Sequence, residues 1–111
     1  MATRLRALSK NPLGRRVSAE EWDMRVNLAA CYRLAAHFRM TDLIYTHISA
    51  RVPGPDHHFL INAFGQLWDE IGASTLVKVT LDGEIVDDPT GYGFNRAGYV
   101  IHSAEIGRAH V

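Results

Sequence analysis

Cysteine is nearly missing from this chain: Cys31 is the single example among 111 residues. No intrachain disulfide can form, which points to a reducing compartment and a cytoplasmic location. Cys31 lies in a helical apolar pattern and reads as an ordinary buried thiol rather than a reactive one. Long apolar runs are also missing. None approaches the roughly 20 residues that a membrane-spanning helix needs. Excess charge of either sign is absent too, because 12 basic residues balance 12 acidic ones. Nothing in that balance drives the chain toward nucleic acid or an anionic membrane. Prolines are few, 4 in all, and each falls where a turn or loop is expected. What remains is a chain that is 47% hydrophobic and of a length that suits one small domain with a modest core.

Acidic residues do not occur before Glu20, whereas Arg4, Arg6, Lys10, Arg15 and Arg16 do. Residues 1–17 therefore form a basic arm broken by Asn11-Pro12 and Gly14. An organelle transit peptide has this composition, and so does a flexible arm that contacts other subunits; the second reading is preferred. Ser18 and Glu21 then form an S-x-x-E capping box. Met24, Leu28, Cys31, Ala35 and Phe38 recur at helical spacing with Tyr32 beside them, which predicts an amphipathic helix of about 20 residues.

The period changes after His47. Ile48, Ala50 and Val52 alternate with Ser49 and Arg51, as in a half-buried strand. Pro53 to Asp56 is a turn, and residues 58–62 read as the returning strand. Gly65 closes that strand with a residue able to adopt positive φ. Residues 67–75 are less regular, with a short helical turn expected near Ala73-Ser74. Val77, Val79 and Leu81 alternate, Asp82-Gly83 is a two-residue hairpin signal, and Glu84 to Val86 return. Pro89 to Gly93 is a loop, and Asn95 is placed to cap a second helix through Tyr99, Val100 and Ala104.

The histidines are the candidate chemical residues. His57 and His58 are adjacent, would face opposite sides of a strand, and make a poor metal pair. They read as surface-turn residues, and His37 as a surface or partly buried helix residue. His102 either lines a pocket or packs in its helix. Arg96 either clamps an anion or is a solvated charge at a helix start.

Three segments occur together in this chain: T-H-I-S-A-R, F-L-I-N-x-F-G, and L-V-K-V-x-L-D-G. In this order they resemble the class II aldolase/adducin N-terminal domain, over roughly residues 18–104. The resemblance implies an α/β fold with three layers, α/β/α, around a mostly antiparallel central sheet, of which the chain would hold the N-terminal half. It implies a symmetric homo-oligomer, often a tetramer. It also implies a divalent metal, usually zinc, that is held by histidines of the full-length parent and polarises a small carbonyl or sugar substrate. The non-catalytic alternative is an adducin-like protein-binding module of the cytoskeletal, actin-associated type.

Residue by residue, the resemblance assigns substrate contact to Thr46 and His47, where the aldolases carry a Gly-Asn pair. It assigns the same to Asn62, Phe64 and Gly65, in a turn able to aim backbone N–H groups at an anion. Phe64 stands where a hydroxyl residue is usual. Arg96 and His102 complete the substrate-binding set. The family's acid/base carboxylate falls in register on Gly98, where no acid stands, so no catalytic residue is assigned and this fragment supplies no metal ligand. That departure resembles the adducin-like branch. Family members continue after the second helix to an H-x-H on a strand. Here the chain ends in E-I-G-R-A-H-V, which coincides with one reading frame of a common short-read sequencing adapter. Residues 105–111 are accordingly expected to be a non-native tail, and His110 is not counted as a ligand.

Overall fold

A computed structural model describes Leu13 and residues 16–108. Helix α1 spans Ala19–His37. Four strands follow, β1 Ser49–Arg51, β2 Phe59–Ile61, β3 Val77–Val79 and β4 Ile85–Asp87. Helix α2 spans Arg96–Arg108. The strands form one sheet in the order β1-β2-β3-β4, and every neighbouring pair is antiparallel.

The capping box forms only in part. Ser18 Oγ accepts a hydrogen bond from the Glu21 N–H at 3.0 Å. The Glu21 carboxylate is taken by stronger partners: Arg25 Nε donates to it at 2.9 Å and Lys78 Nζ at 2.7 Å. The expected apolar stripe is correspondingly rotated. Glu21, Trp22, Arg25, Leu28, Ala29 and Tyr32 are the buried residues of α1. Cys31 is exposed, contrary to expectation, and Phe38 is 66% exposed. Leu28 and Tyr32 lie four residues apart on the buried face. Cys31 falls off that line, and so the helical period alone did not place it.

β2 separates the two sides of the core. Leu60 joins Leu28, Tyr32, Val52, Trp68, Ile71 and Leu76 beneath α1. Phe59 and Ile61 join Ala63, Val77 and Val79 on the other side, with Phe94, Tyr99 and Ile106 packed over them. The sheet therefore lies between α1 and α2, and all three β2 residues are fully buried. Central strands covered on both faces lose the polar alternation of a surface strand. Burying each such side chain contributes roughly 1.5–3 kcal/mol. Tyr32 and Trp68 meet edge to face, 4.7 Å between ring centroids.

The short helical turn lies at Trp68–Glu70 rather than near Ala73-Ser74, which forms a hydrogen-bonded turn instead. The apolar Trp68 side chain anchors it, and the Trp68 indole N–H donates to the Thr46 carbonyl at 3.1 Å. A hairpin forms at Asp82-Gly83, but with a three-residue loop rather than a two-residue one: Thr80 and Glu84 pair across residues 81–83, and only Gly83 of the three takes positive φ, +88°. The Gly83 and Glu84 N–H groups are both held by Thr80. Asp88 organises the next loop. Its carboxylate accepts from the Thr90 N–H, the Thr90 hydroxyl and the Gly93 N–H. Partial burial would raise the Asp88 pKa, but these hydrogen bonds outweigh it and hold the carboxyl below its usual value.

α2 begins with Asn95 as its cap, Oδ1 accepting from the Ala97 N–H at 3.0 Å. It runs past Ala104 to Arg108, with Ile106 against the core. Of the basic arm, Leu13 and Val17 are buried against Trp22; residues 1–12, 14 and 15 lie outside the described residues, as do residues 109–111. Among the described residues no helix is long and apolar enough to cross a membrane.

Arg25 is fully buried and fastens α1 to the segment leading into β3. One guanidinium nitrogen donates to the Ala73 and Leu76 carbonyls at 3.2 and 2.9 Å, and another faces Asp87 at 3.8 Å. Arg25→Met in the full-length protein should cost about 3–5 kcal/mol, because the Ala73 and Leu76 carbonyls stay buried without their donor and Glu21 keeps Lys78 as its one cationic partner. Denaturant unfolding checks this, and a loss under about 1 kcal/mol would contradict the anchoring role.

Candidate functional site

His47 lies just before β1, and Ser49 is the first residue of that strand. Residues two apart on extended chain project to one side. His102 lies on α2, four residues after Gly98, so those two share a helix face. The layer arrangement brings both faces together. His47 Nδ1 lies 2.5 Å from His102 Nε2, and His102 Nδ1 lies 2.5 Å from Ser49 Oγ. The imidazoles meet edge to face with 4.6 Å between centroids. Ser49, His102 and His47 thus form one hydrogen-bonded chain.

Gly98 makes room for it. It is the buried residue of α2, and a Cβ added there would come within 3.0 Å of His47 Cδ2 and Nε2. Glycine inside a helix costs roughly 0.5–1 kcal/mol relative to alanine. Here that cost admits the His47 ring against the helix backbone. The position where the sequence lacks the expected acid is therefore filled by an imidazole rather than left empty.

His102 has its pKa lowered. Desolvation disfavours its charged form, and the neighbouring His47 repels a second positive charge.

The backbone of this site is fixed from below. The Ile48 N–H donates to the Tyr32 hydroxyl at 2.7 Å, and that hydroxyl also contacts the Ile48 carbonyl and, at 3.0 Å, Asn62 Oδ1. Burial raises the Tyr32 pKa far above its ordinary value, with the Ile48 and Asn62 hydrogen bonds opposing. Tyr32 is thus a neutral post between the residue after His47 and the turn after β2.

The remaining expected site residues divide. Asn62 is buried and paired with Tyr32. Thr46 closes its own loop, its hydroxyl accepting from the Asp42 N–H at 3.3 Å. Gly65 takes φ +87° and Phe64 is half exposed. The Phe64 N–H donates to Gly93 O at 2.9 Å and the Gln66 N–H to Ala63 O at 3.4 Å. Two N–H groups of that turn are thereby engaged within the protein. Arg96 lies over the Phe94 and Tyr99 rings, 5.5 and 5.9 Å from their centroids, and reaches the Gly83 turn. His57 and His37 are exposed and His58 is half buried.

The structure therefore brings His47 and His102 together and directs Arg96 to the hairpin. Ser49 was missed. The two-residue spacing from His47, on the polar side of a half-buried strand, was the available signal. Among the described residues no group of three or more His, Cys, Asp or Glu side chains is arranged to hold a metal ion. The His47 and His102 nitrogens face each other instead of a common centre, so the described residues do not fit a metal by themselves.

His102 binds a proton more weakly in the folded protein than its ordinary pKa of about 6.5. The unfolded chain then takes up more protons on acidification, so this group's stabilisation is present above that value and lost below it. Melting temperatures of the full-length protein should fall from pH 7.5 to 5.5, and fall less in His102→Gln. An equal fall in both proteins would contradict the assignment.

Residues 26–109 match the family described as the class II aldolase and adducin N-terminal domain. A Caulobacter vibrioides protein, provisionally named an aldolase class 2 protein, is 55% identical over 98 residues, which are 88% of this chain and 38% of that one. Rat alpha-adducin is 52% identical over 82 residues, covering 73% of this chain and 11% of its own length. The chain thus spans well under half the length of these relatives. Among solved structures, an aldolase II superfamily protein from Pseudomonas syringae superposes with TM-score 0.84 at 72% identity, over 86% of this chain and 38% of that one. The L-fuculose 1-phosphate aldolase of Glaciozyma antarctica PI12 superposes with TM-score 0.77 at 30% identity, over 94% and 43%. Its fold, its motifs and these relatives together make the chain a member of the class II aldolase and adducin N-terminal domain family.

Proposed function

We propose that the chain is the N-terminal half of an aldolase-like lyase that acts on a small carbonyl or sugar substrate. The Ser49–His102–His47 chain, closed over Gly98, is the observation that carries this reading. A packed helix has no structural need for an imidazole seated on a glycine, whereas proton transfer needs an imidazole held in place by hydrogen-bonded partners. The full-length protein would hold a divalent metal, zinc by the chemistry of histidine ligands, supplied by residues beyond this chain. That metal would polarise the substrate carbonyl. A homo-oligomer in the cytoplasm completes the proposal.

The second reading is an adducin-like protein-binding module. The similarity to rat alpha-adducin favours it, as does the lack of an acid at Gly98. Metal content separates the two. Full-length protein should hold a stoichiometric divalent metal, lose activity on chelation and regain it with zinc. Protein without a metal and without turnover of any small hydroxy-carbonyl compound would favour the binding module.

Residues 105–111 are proposed to be foreign to the gene. Long-read sequencing of the source DNA should diverge after the codon for Ala104; recovery of the same seven codons would refute this. The 111-residue chain alone should be inactive and melt without a sharp transition. β1 and β4 are open edges, and Leu34, Phe38, Met40, Leu43 and Tyr45 are exposed. A cooperative thermal transition of purified monomer would contradict that expectation.

A further inference from the structure

The geometry points to Ser49, His102 and His47 as a proton relay whose working end is His47 Nε2, with Gly98 as the residue that admits it. This deepens the lyase reading and rests on it. Each imidazole has two nitrogens. His102 spends Nδ1 on Ser49 and Nε2 on His47, and His47 spends Nδ1 on His102. His47 Nε2 is the one nitrogen of the relay that neither of its other members holds. It lies within 3.0 Å of the space a Gly98 side chain would fill. An alanine there would meet the ring, so the glycine and the imidazole are matched to each other.

The hydrogen bonds permit two neutral arrangements. In one, Ser49 donates to His102 Nδ1, His102 Nε2–H donates to His47 Nδ1, and His47 carries its proton on Nε2 as an acid. In the other, every bond is reversed: His47 Nδ1–H donates to His102 Nε2, His102 Nδ1–H donates to Ser49 Oγ, and His47 Nε2 presents a lone pair as a base. In the second arrangement a C–H bond beside a substrate carbonyl breaks and its proton bonds to Nε2. The electron pair stays with the carbonyl compound as an enolate. The His47 imidazolium passes its Nδ1 proton to His102 Nε2. His102 passes its own Nδ1 proton to Ser49 Oγ, whose original proton leaves to water. One proton enters and one leaves, and the relay ends in the first arrangement. Desolvation of His102 keeps the charged intermediate from persisting.

His47 is the catalytic residue in this scheme, and His102, Ser49 and Gly98 position it. Two measurements on full-length, histidine-¹⁵N-labelled, metal-loaded protein test it. The first is the NMR signature of the His47–His102 hydrogen bond: a strongly downfield ring proton coupled across the two imidazoles at pH 7.5. It should be present in wild type and absent in His47→Asn, His102→Gln and Gly98→Ala. The second is deuterium uptake from D₂O into dihydroxyacetone, a small hydroxy-ketone probe. Wild type should exchange, with the rate falling about 10²–10⁴-fold in His47→Asn and less in His102→Gln. Circular dichroism confirms that each variant is folded. Should His47→Asn misfold, His47→Gln takes its place.

Loss of both signals together supports the relay. Exchange at the wild-type rate in a folded His47 variant overturns it and leaves the lyase reading standing. So does the absence of the shared proton in an exchanging wild type. A shared proton in a metal-loaded wild type that does not exchange the probe overturns the lyase reading, and with it the catalytic role of His47.

Discussion

The buried guanidinium of Arg25 fixes how α1 lies on the sheet, and the rest of the molecule follows from that contact. It joins Glu21 on its own helix, the carbonyls of Ala73 and Leu76, and the carboxylate of Asp87 at the far edge of the sheet. Lys78 reaches the same Glu21 from β3. A charge cluster of this kind contributes little net stability relative to apolar packing, but it tolerates few alternative arrangements. With α1 placed, Tyr32 stands beneath Ile48 and Asn62, and the chain on either side of β1 and β2 is set. His47 is held at the start of β1 by this post.

The second constraint comes from the opposite layer. α2 packs Tyr99 onto the sheet, and this places Gly98 and His102 against the polar side of β1. The site is therefore built from two layers that meet only through the sheet. Neither β1 nor α2 alone carries a complete hydrogen-bonded chain. Glycine at position 98 and histidine at position 47 are matched in packing terms, because the imidazole lies where a side chain at position 98 would stand.

Much of the fold was legible because its signals are local. Ser18 accepts from Glu21 as a cap does, the chain reverses at Asp82-Gly83 although the loop is one residue longer than that dipeptide signals, and β1 and β3 alternate with period two. The buried face of α1 was misread at Cys31 because the core on that side is lined by two charged residues, Glu21 and Arg25, which hydrophobic periodicity does not count. The helical turn at Trp68 was placed too late because Trp68 is held by tertiary contacts with Tyr32 and Thr46 rather than by its own sequence. His47 and His102 were each singled out by the motifs around them. Their partnership was not, since they lie 55 residues apart and only the stacking of two layers joins them. Arg96 stands at a helix start, and its guanidinium lies over the Phe94 and Tyr99 rings beside a tight turn, neighbours that its place in the sequence does not signal.

The site turns on the seat of His47 over Gly98. A crystal structure of the full-length protein at high resolution tests it most directly. The expected result is the His47 ring against the Gly98 backbone, with Nδ1 within hydrogen-bonding distance of His102 and Nε2 open to the substrate side. A His47 ring rotated away from α2, with solvent or another side chain above Gly98, would contradict it.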